Sequence, residues 1–311
     1  MINIIGKRYL YFIISLVVIV PGLILLFIEG AQSNLPLAID FTGGSLLEVK
    51  FASAQPQPAD IIGLYETLNV TDAQVQTTSE GSYVIRSSEL AEDVRSKVVD
   101  ALKSEFNSDV TVLRFESVGP TIGQEVTTRA GLAIAVAVLI VTIYLTFAFR
   151  GVPHSFRYGI CAILAMVHDV AVVFSLAGWG SLLWGWQIDS LFLTALLTVI
   201  GFSVQDKVVV FDRIRENTGI FRRLQFETLV NHSIVQTLGR SLNTQLMTVE
   251  FMLLALALFG GVTLREFAII LLVGLFSGTY SSIFVAAPAL VVWENREWRT
   301  WFRGSRKEAT A

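Results

Sequence analysis

Charged residues are scarce in this sequence. Only 16% of its 311 residues are Asp, Glu, Lys or Arg, whereas 53% are hydrophobic and the mean hydropathy is +0.62. Globular soluble domains carry about 25% charged residues, so the composition argues against an ordinary soluble protein. Cysteine is nearly absent as well. Cys161 is the single one, which excludes a disulfide or a cysteine-rich metal site within one chain.

Sequence motifs of catalytic sites are also absent. The three histidines (His154, His168 and His232) are far apart, and there is no HExxH motif, nucleophile elbow or glycine-rich phosphate loop. His168 precedes Asp169 in an apolar segment, where we expect it to pack against neighbouring helices or to orient that carboxylate. We therefore expect no enzymatic activity, no cofactor, no metal ion and no nucleic-acid partner.

Six apolar segments are present instead, and each is long enough to cross a membrane, which takes about 20 residues. They are Leu10–Ile28, Ala130–Phe149, Tyr158–Gly178, Leu191–Phe211, Leu242–Gly260 and Phe267–Val292. The sequence therefore predicts a polytopic α-helical membrane protein with six transmembrane helices. The apolar core of the first segment is too long for a cleavable signal peptide, so we expect it to be a retained helix.

The basic residues predict how these helices are oriented, because Lys and Arg concentrate in cytoplasmic loops. They lie before the first segment, between the second and third, between the fourth and fifth, and after the sixth, while the opposite short loops contain only Arg265. Both termini are thus predicted to be cytoplasmic. Residues 1–28 form the N-terminus and first helix, 129–292 form the other five helices with a basic link at 213–240, and 293–311 form a basic tail.

Residues 29–128, between the first two helices, are predicted to form an extracytoplasmic domain. They hold fifteen acidic and six basic residues, a net charge of −9. Apolar patterns predict strands and helices in the order β-α-β-β-α-β, which is typical of a ferredoxin-like α+β domain. The strands are Ser45–Phe51, Gln74–Ser79, Tyr83–Ser88 and Val110–Glu116, and the helices are Ala59–Leu68 and Glu89–Phe106.

Asp206 and Lys207 interrupt the fourth apolar segment, where an ionisable side chain costs about 2.5 kcal/mol and needs a partner or a function. Asp206 lies six residues before Asp212, about 9 Å inside the cytoplasmic boundary. Arg240, at the cytoplasmic start of the fifth segment, has a side chain long enough to reach that depth. Two interpretations stay open. One is a structural ion pair of Asp206 with Arg240 or Lys207, and the other is a proton site in which Asp206 alternates between a proton and Arg240.

Further polar residues are candidates to support this site: Ser203, Gln205, Lys207, Asp169 and Thr244. Ser203 and Lys207 share a helical face with Asp206. Lys207 is expected to extend its four-carbon stem toward the cytoplasmic headgroups. Asp169 is expected to be held by hydrogen bonds, for instance to backbone groups. Glu250 lies on the opposite side of its helix from a polar stripe formed by Ser241, Thr244 and Thr248, and nothing in the sequence accounts for it.

Five stretches of the sequence together resemble one family. They are AIDFTGGSLLEVKF (38–51), VGPTIGQEV (118–126), HDV (168–170), LLTVIGFSVQDKVVVFDRIREN (196–217) and FGGVTLREFAIILLVGLFSGTYSSIFVAAPAL (259–290). In order and spacing they resemble the SecF family of the bacterial Sec protein-translocation system, from Ile2 to Trp293. The resemblance implies half of a transporter of the resistance-nodulation-division type, located in the bacterial cytoplasmic membrane.

The resemblance also implies partners and site residues. It implies that the protein acts beside SecD and the SecYEG channel, with YajC as a further candidate partner. It also implies that the protein uses the proton-motive force to draw unfolded secretory preproteins across the lipid bilayer. It assigns proton coupling to Asp206 and Arg240. The chain departs from the family at Gln205, where Asn is usual, at Lys207, where Thr is frequent, and at Glu250, where a small residue is expected.

Two other functions fit the same architecture. One is half of a small-molecule or lipid exporter of the same superfamily, which would need a deep apolar pocket in the outer domain. The other is an ion-independent membrane assembly factor, which would be insensitive to a proton gradient. Sodium is an alternative coupling ion, because a carboxylate together with Ser203 and backbone oxygens suits a hard cation.

Overall fold

The structure is a computed structural model that describes residues 3–31, 35–78, 81–150, 155–245, 251–259 and 262–297. The chain divides into two compact units. The helical unit comprises residues 1–35, 134–186 and 191–311, and the sheet unit comprises residues 36–133 together with 187–190. The fold is mostly helical, with one small antiparallel sheet.

Five helical segments are long and apolar enough to cross a membrane: Ile5–Ala31, Pro120–Ala148, Ser155–Trp184, Ser190–Ile220 and Leu264–Glu294. They contain the helices α1 (Arg8–Ala31), α5 (Pro120–Ala148), α6 (Ser155–Trp184), α7 (Ser190–Ile220), α10 (Val262–Ser281) and α11 (Ala287–Glu294). A π-helical turn, Ser282–Ala286, joins the last two. Five of the six predicted spans coincide with these segments, which supports a multi-pass membrane protein.

The remaining predicted span, 242–260, is described only in part. It begins in α8 (Phe226–Gln245) and continues in α9 (Phe251–Phe259). Residues 246–250 and 260, including Glu250, lie outside the described residues. The length of a continuous helix therefore does not test the predicted fifth transmembrane helix, which stays a prediction.

Small residues let helices of the helical unit approach each other closely, as is common inside membranes. A Cβ atom added at Gly178 of α6 would lie 2.3 Å from the carbonyl oxygen of Gly22 in α1. A Cβ atom added at Gly274 of α10 would lie 2.3 Å from a methyl group of Val199 in α7. Glycine is required at both positions because a side chain there would overlap the backbone of α1 at Gly178 and the side chain of Val199 at Gly274.

One end of the helical unit is tied together by a cluster around Arg8. Its guanidinium contacts Glu297 at 2.7 Å and Glu227, at the start of α8, at 3.0 Å. Tyr9 donates its hydroxyl to Glu297 at 2.6 Å, and Asn231 accepts the backbone N–H of Ile4 at 2.8 Å. The beginning of α1, the beginning of α8 and the residues after α11 therefore lie at the same end of this unit.

The sheet unit contains four antiparallel strands in the order β2-β3-β1-β4. The strands are β1 (Gly44–Phe51), β2 (Gln74–Thr77), β3 (Tyr83–Ser87) and β4 (Val110–Val118), and the helices are α2 (Ile39–Thr42), α3 (Pro58–Thr67) and α4 (Glu92–Glu105). Leu47 of β1 pairs with Ile85 of β3 and Phe115 of β4. Residues of the alternating apolar face pack with α3 and α4 into one core: Leu47, Val49, Ile61, Tyr65, Ile85, Val98 and Leu102.

The FTGG motif makes the turn between α2 and β1. Gly43 and Gly44 have φ angles of +75° and +119°, which L side chains rarely adopt. A Cβ atom at Gly44 would also lie 2.6 Å from the carbonyl oxygen of Ser87. The two glycines therefore allow the chain to leave α2 and enter the centre of the sheet.

The segment 187–190, which connects α6 to α7, belongs to the sheet unit. Ile188 accepts the backbone N–H of Ala38 at 2.9 Å and donates its own to Pro36 at 2.6 Å. The Asp40 carboxylate accepts the backbone N–H of Ser190 at 2.9 Å. Periodicity in the sequence gives no sign of this pairing, because the two segments are about 150 residues apart.

Candidate functional site

Asp206 lies on the buried face of α7, as the helical spacing of Ser203, Asp206, Lys207 and Val210 predicts. Its side chain is 7% exposed. Thr279 of α10 donates a hydrogen bond of 2.9 Å from Oγ1 to its Oδ2. Among the described residues this neutral hydroxyl is the hydrogen-bonding partner of Asp206, and no cation pairs with it.

Arg240 lies near the end of α8, and its side chain is exposed. No described residue forms an ion pair with it. This conformation therefore does not bring Arg240 and Asp206 together. The exchange of Asp206 between a proton and Arg240 stays a prediction, and it requires the Arg240 side chain to turn toward α7.

The supporting residues that the sequence predicted differ in their positions. Gln205 and Thr244 are exposed. Ser203 is buried, but it contacts Asp169 and not Asp206. Ser241, on the buried side of α8, has an Oγ atom with no hydrogen-bonding partner among the described residues. The polar stripe of α8 thus divides into a buried part at Ser241 and an exposed part at Thr244.

Asp169 of α6 is the centre of a buried cluster that the sequence did not predict. Its carboxylate is 1% exposed and accepts hydrogen bonds from three serines. Ser203 and Ser281 donate to Oδ2 at 2.6 Å and 2.7 Å, and Ser277 donates to Oδ1 at 2.7 Å. Asp169 is thus held by hydrogen bonds, as the sequence predicted, but the donors are hydroxyl groups of α7 and α10 instead of backbone groups.

The ammonium group of Lys207 completes this cluster. Its Nζ donates to Asp169 Oδ2 at 2.7 Å, to Ser203 Oγ at 2.5 Å and to the Ser203 carbonyl oxygen at 3.1 Å. An ammonium group has three donors, so all of them are used. The prediction that Lys207 extends toward the headgroups is wrong: its side chain is fully buried, because a carboxylate on the neighbouring helix compensates its charge inside the protein.

His168 connects the cluster to α1. Its Nδ1 lies 3.1 Å from Asp169 Oδ1, which is the contact that an orienting histidine would make. Its Nε2 lies 2.9 Å from Ser15 Oγ, and its ring stacks on Tyr280 with centroids 6.1 Å apart. The ring therefore has protein partners on three sides. Within the described residues, no three His, Cys, Asp or Glu side chains are placed to hold a metal ion.

Three hydroxyl residues of α10 that contact the two carboxylates were not predicted from the sequence: Ser277, Thr279 and Ser281. Their spacing carries a signal that could have found them. Ser277 and Ser281 are four residues apart and so share a helical face. Hydroxyl groups that recur in this way within an apolar span are typical of contacts between membrane helices.

These features define a class of protein: a multi-pass membrane protein whose spans bury ionisable residues, which in membrane proteins mark functional pathways. The family model described as "Protein export membrane protein SecD/SecF, C-terminal" matches residues 97–296. The chain belongs to the SecF family.

Individual relatives support this membership. The chain is 66% identical to "Protein translocase subunit SecF" of Anaerolinea thermophila and 45% identical to that of Thermobaculum terrenum, in both cases over the full length of both chains. It is also similar to the crystal structure of SecDF from Thermus thermophilus, described as a translocon-associated membrane protein. That similarity has a TM-score of 0.80 at 34% identity and covers 95% of this chain and 39% of that chain.

Proposed function

We propose that this protein is the SecF-type auxiliary subunit of the Sec preprotein translocase in the bacterial cytoplasmic membrane. It is not an enzyme, and it works with SecD to use the proton-motive force to promote protein export. One observation carries the coupling part of this proposal. Asp206 is buried in a membrane-spanning helix with a neutral hydroxyl, and no cation, as its partner among the described residues. A carboxylate in that position is suited to bind and release a proton.

The topology in this proposal has six spans, with both termini in the cytoplasm. The contacts of Arg8 with Glu297 support an even number of crossings, because the start of the first span and the end of the last lie at one end of the unit. Five segments qualify as spans by length, so α8 and α9 together supply the sixth. Contacts of Arg8 with Glu227 support α8 starting at that same end.

The sheet unit is proposed to be a ferredoxin-like domain outside the cytoplasmic membrane. Its element order from β1 to β4 is β-α-β-β-α-β, and its strand order of β2-β3-β1-β4 supports this class. A small sheet with edge strands can add an extended chain as a further strand, with affinity coming from main-chain hydrogen bonds. Such binding does not depend on sequence, which suits contact with many different unfolded preproteins.

SecD is the first partner in this proposal, followed by the SecYEG channel, with YajC as a further candidate. The relative from Thermus thermophilus named "Protein translocase subunit SecDF" supports the pairing with SecD. This chain matches only 34% of its length, so that protein carries a large further part, and its name joins SecD with SecF. A pathway between two related halves is a common transporter design. We expect the protein to co-purify from detergent extracts with a second membrane protein of similar span layout.

Proton coupling follows from the change of charge at Asp206. A deprotonated Asp206 attracts the exposed guanidinium of Arg240, whereas a protonated Asp206 has no charge to hold Arg240 and keeps the hydrogen bond from the hydroxyl of Thr279. The described conformation, in which Arg240 is exposed, is the one that this proposal assigns to the second state. One elementary charge that crosses a potential of 100 mV supplies about 2.3 kcal/mol, which is enough to bias two conformations separated by a few kcal/mol.

The test measures preprotein transport into inside-out membrane vesicles that contain the protein, SecD and the channel, with and without a proton gradient. The gradient-dependent increment is the difference between the two rates. Asp206→Asn keeps the shape of the side chain but cannot ionise, so it is fixed in the neutral state. We therefore expect it to abolish the increment while transport without a gradient continues. Arg240→Met is expected to do the same.

Asp212→Asn is the matched control. Asp212 lies on the same helix, is exposed, and pairs with Arg215 at 3.0 Å, so the same substitution there should leave the increment unchanged. A full increment in Asp206→Asn vesicles would contradict proton coupling at this site and would favour the ion-independent alternative.

A further inference from the structure

Asp206 and Lys207 are neighbours on α7, yet the structure gives them separate partners. Asp206 receives one hydrogen bond, from the hydroxyl of Thr279. Lys207 directs its ammonium group to Asp169 and Ser203, and all three of its N–H donors are used there. Two opposite charges that are adjacent in sequence therefore form no ion pair with each other.

This separation matters because a mobile ammonium group beside Asp206 would interfere with coupling. Lys207 has a long flexible stem, so without Asp169 its nitrogen could swing toward the neighbouring carboxylate. A permanent cation there would hold Asp206 in its ionised form and would take the place of Arg240. Gain and loss of a proton at Asp206 would then no longer control Arg240.

We infer that Asp169 is a positioning residue for proton coupling: it binds the ammonium group of Lys207 and keeps it away from Asp206. This inference rests on the proposed function. The groups that face Asp169 fit the role. Ser203, Ser277, Ser281 and His168 direct their polar atoms to the carboxylate.

Ser203 has a particular part in this arrangement, because it contacts both charges. Its Oγ donates to Asp169 Oδ2 at 2.6 Å and accepts from Lys207 Nζ at 2.5 Å. Its carbonyl oxygen accepts a further hydrogen bond from the same nitrogen at 3.1 Å. The ammonium is thus held at three points, two of them on α7 itself.

The test uses the same vesicles and three variants of the full chain. Asp169→Asn removes the charge that holds Lys207, so the gradient-dependent increment should fall to the level measured without a gradient. Asp169→Asn combined with Lys207→Met removes the released ammonium as well, so most of the increment should return. Asp206→Asn combined with Lys207→Met should show no increment, because the coupling carboxylate itself is missing.

The amount of folded protein in each vesicle preparation is measured by size-exclusion chromatography, and the increments are compared per folded molecule. A full increment in Asp169→Asn, or a double variant that is as impaired as Asp169→Asn, would overturn the inference and leave the ion pair a structural contact. An intact increment in Asp206→Asn alone would instead contradict the proposed function.

If Asp169→Asn does not accumulate in the membrane, Ser203→Ala provides a second route. It removes one acceptor of the ammonium group and keeps the carboxylate of Asp169. We expect a partial loss of the increment that is reversed when Lys207→Met is added. An unchanged increment in Ser203→Ala, or no recovery in its combination with Lys207→Met, would equally overturn the inference.

Discussion

The two units of this protein place their polar side chains in opposite ways. The sheet unit buries an apolar core that includes Leu47 and Ile61. The helical unit exposes large apolar side chains such as Phe147, and it buries the ionised groups of Asp169 and Lys207. The helical unit thus combines exposed apolar side chains with a buried ion pair.

The difference reflects the two solvents. In water, burial of apolar surface is the main force that stabilises a fold. Between helices in a lipid bilayer this force is missing, so close packing at small residues and hydrogen bonds between helices stabilise the fold instead. Loss of a buried polar partner should therefore strongly destabilise the helical unit. The sheet unit offers the complementary test, because loss of its unpartnered buried hydroxyl should stabilise it.

The largest effect is expected for Lys207→Met. The substitution leaves the carboxylate of Asp169 buried without its cation, and the loss of one member of a buried ion pair costs about 3–5 kcal/mol. For the same reason Lys207→Thr, which would be harmless if the side chain reached the headgroups, is expected to destabilise the protein. Thermal unfolding in detergent should show a clear drop in the midpoint.

Lys207→Met combined with Asp169→Asn is the control for this prediction. Neutral partners replace both charges, so most of the stability should return. A single variant with the melting temperature of the unchanged protein would show that the ion pair contributes little to the helical unit.

Gly178→Ala should have the next largest effect. The added methyl group would lie 2.3 Å from the carbonyl oxygen of Gly22, so α1 and α6 must move apart. Overpacking of this kind costs about 1–3 kcal/mol, and thermal unfolding in detergent measures it. Gly159→Ala, on the same helix, is the matched control because a Cβ atom there meets nothing within 4 Å. Equal stability of the two variants would contradict the close contact.

Tyr65→Phe should stabilise the sheet unit. The hydroxyl of Tyr65 is buried and has no hydrogen-bonding partner among the described residues, and an unsatisfied buried polar group costs about 1–3 kcal/mol. A urea titration of the full chain, read by a protease pulse that cleaves the unfolded sheet unit, measures the gain. Tyr83→Phe is the control: its hydroxyl donates to Pro56 at 2.9 Å, so its loss should destabilise.

The gain in stability from Tyr65→Phe should depend on pH, because the Tyr65 hydroxyl is buried. Burial raises the pKa of Tyr65 above its usual value of 10.0. Above pH 10 the unfolded chain ionises Tyr65 while the folded state keeps it neutral, so the unchanged protein loses stability as the pH rises toward the folded-state pKa. We expect the advantage of Tyr65→Phe over the unchanged protein to increase above pH 10. A constant difference would show that Tyr65 is not buried in solution.

The smallest effect is expected for Glu297→Gln. Burial raises the pKa of Glu297, but the hydrogen bonds from Tyr9 and Arg8 outweigh it, and the net pKa lies below the usual 4.5. The ion pair therefore adds stability above pH 4.5, which is lost as the pH falls through the lowered pKa. The variant should be less stable at pH 7 by at most about 1 kcal/mol. If its melting temperature did not approach that of the unchanged protein in acid, a role for this charge would be ruled out.

Much of the secondary structure followed from the sequence. The strand predicted at Ser45–Phe51 is β1, Gly44–Phe51, and the one predicted at Val110–Glu116 is β4, Val110–Val118. The helix predicted from Glu89 begins only at Glu92. The reason is the backbone of Ala91, which is extended with φ −66° and ψ 157° and forms the N-cap. The residue before it is held against β1, since the backbone N–H of Leu90 donates to Ser45 Oγ at 2.7 Å.

The sequence by itself determined the apolar spans, the strands and the presence of ionisable groups at membrane depth, because hydropathy and periodicity are properties of neighbouring residues. Only the tertiary structure decided which carboxylate Lys207 would meet. Asp206 is adjacent to it in sequence, but Asp169 lies 38 residues away and is its partner. The physical reason is that a buried ion pair needs both charges and their remaining hydrogen-bonding groups satisfied at once. That requirement is met only where α6, α7 and the serines of α10 come together.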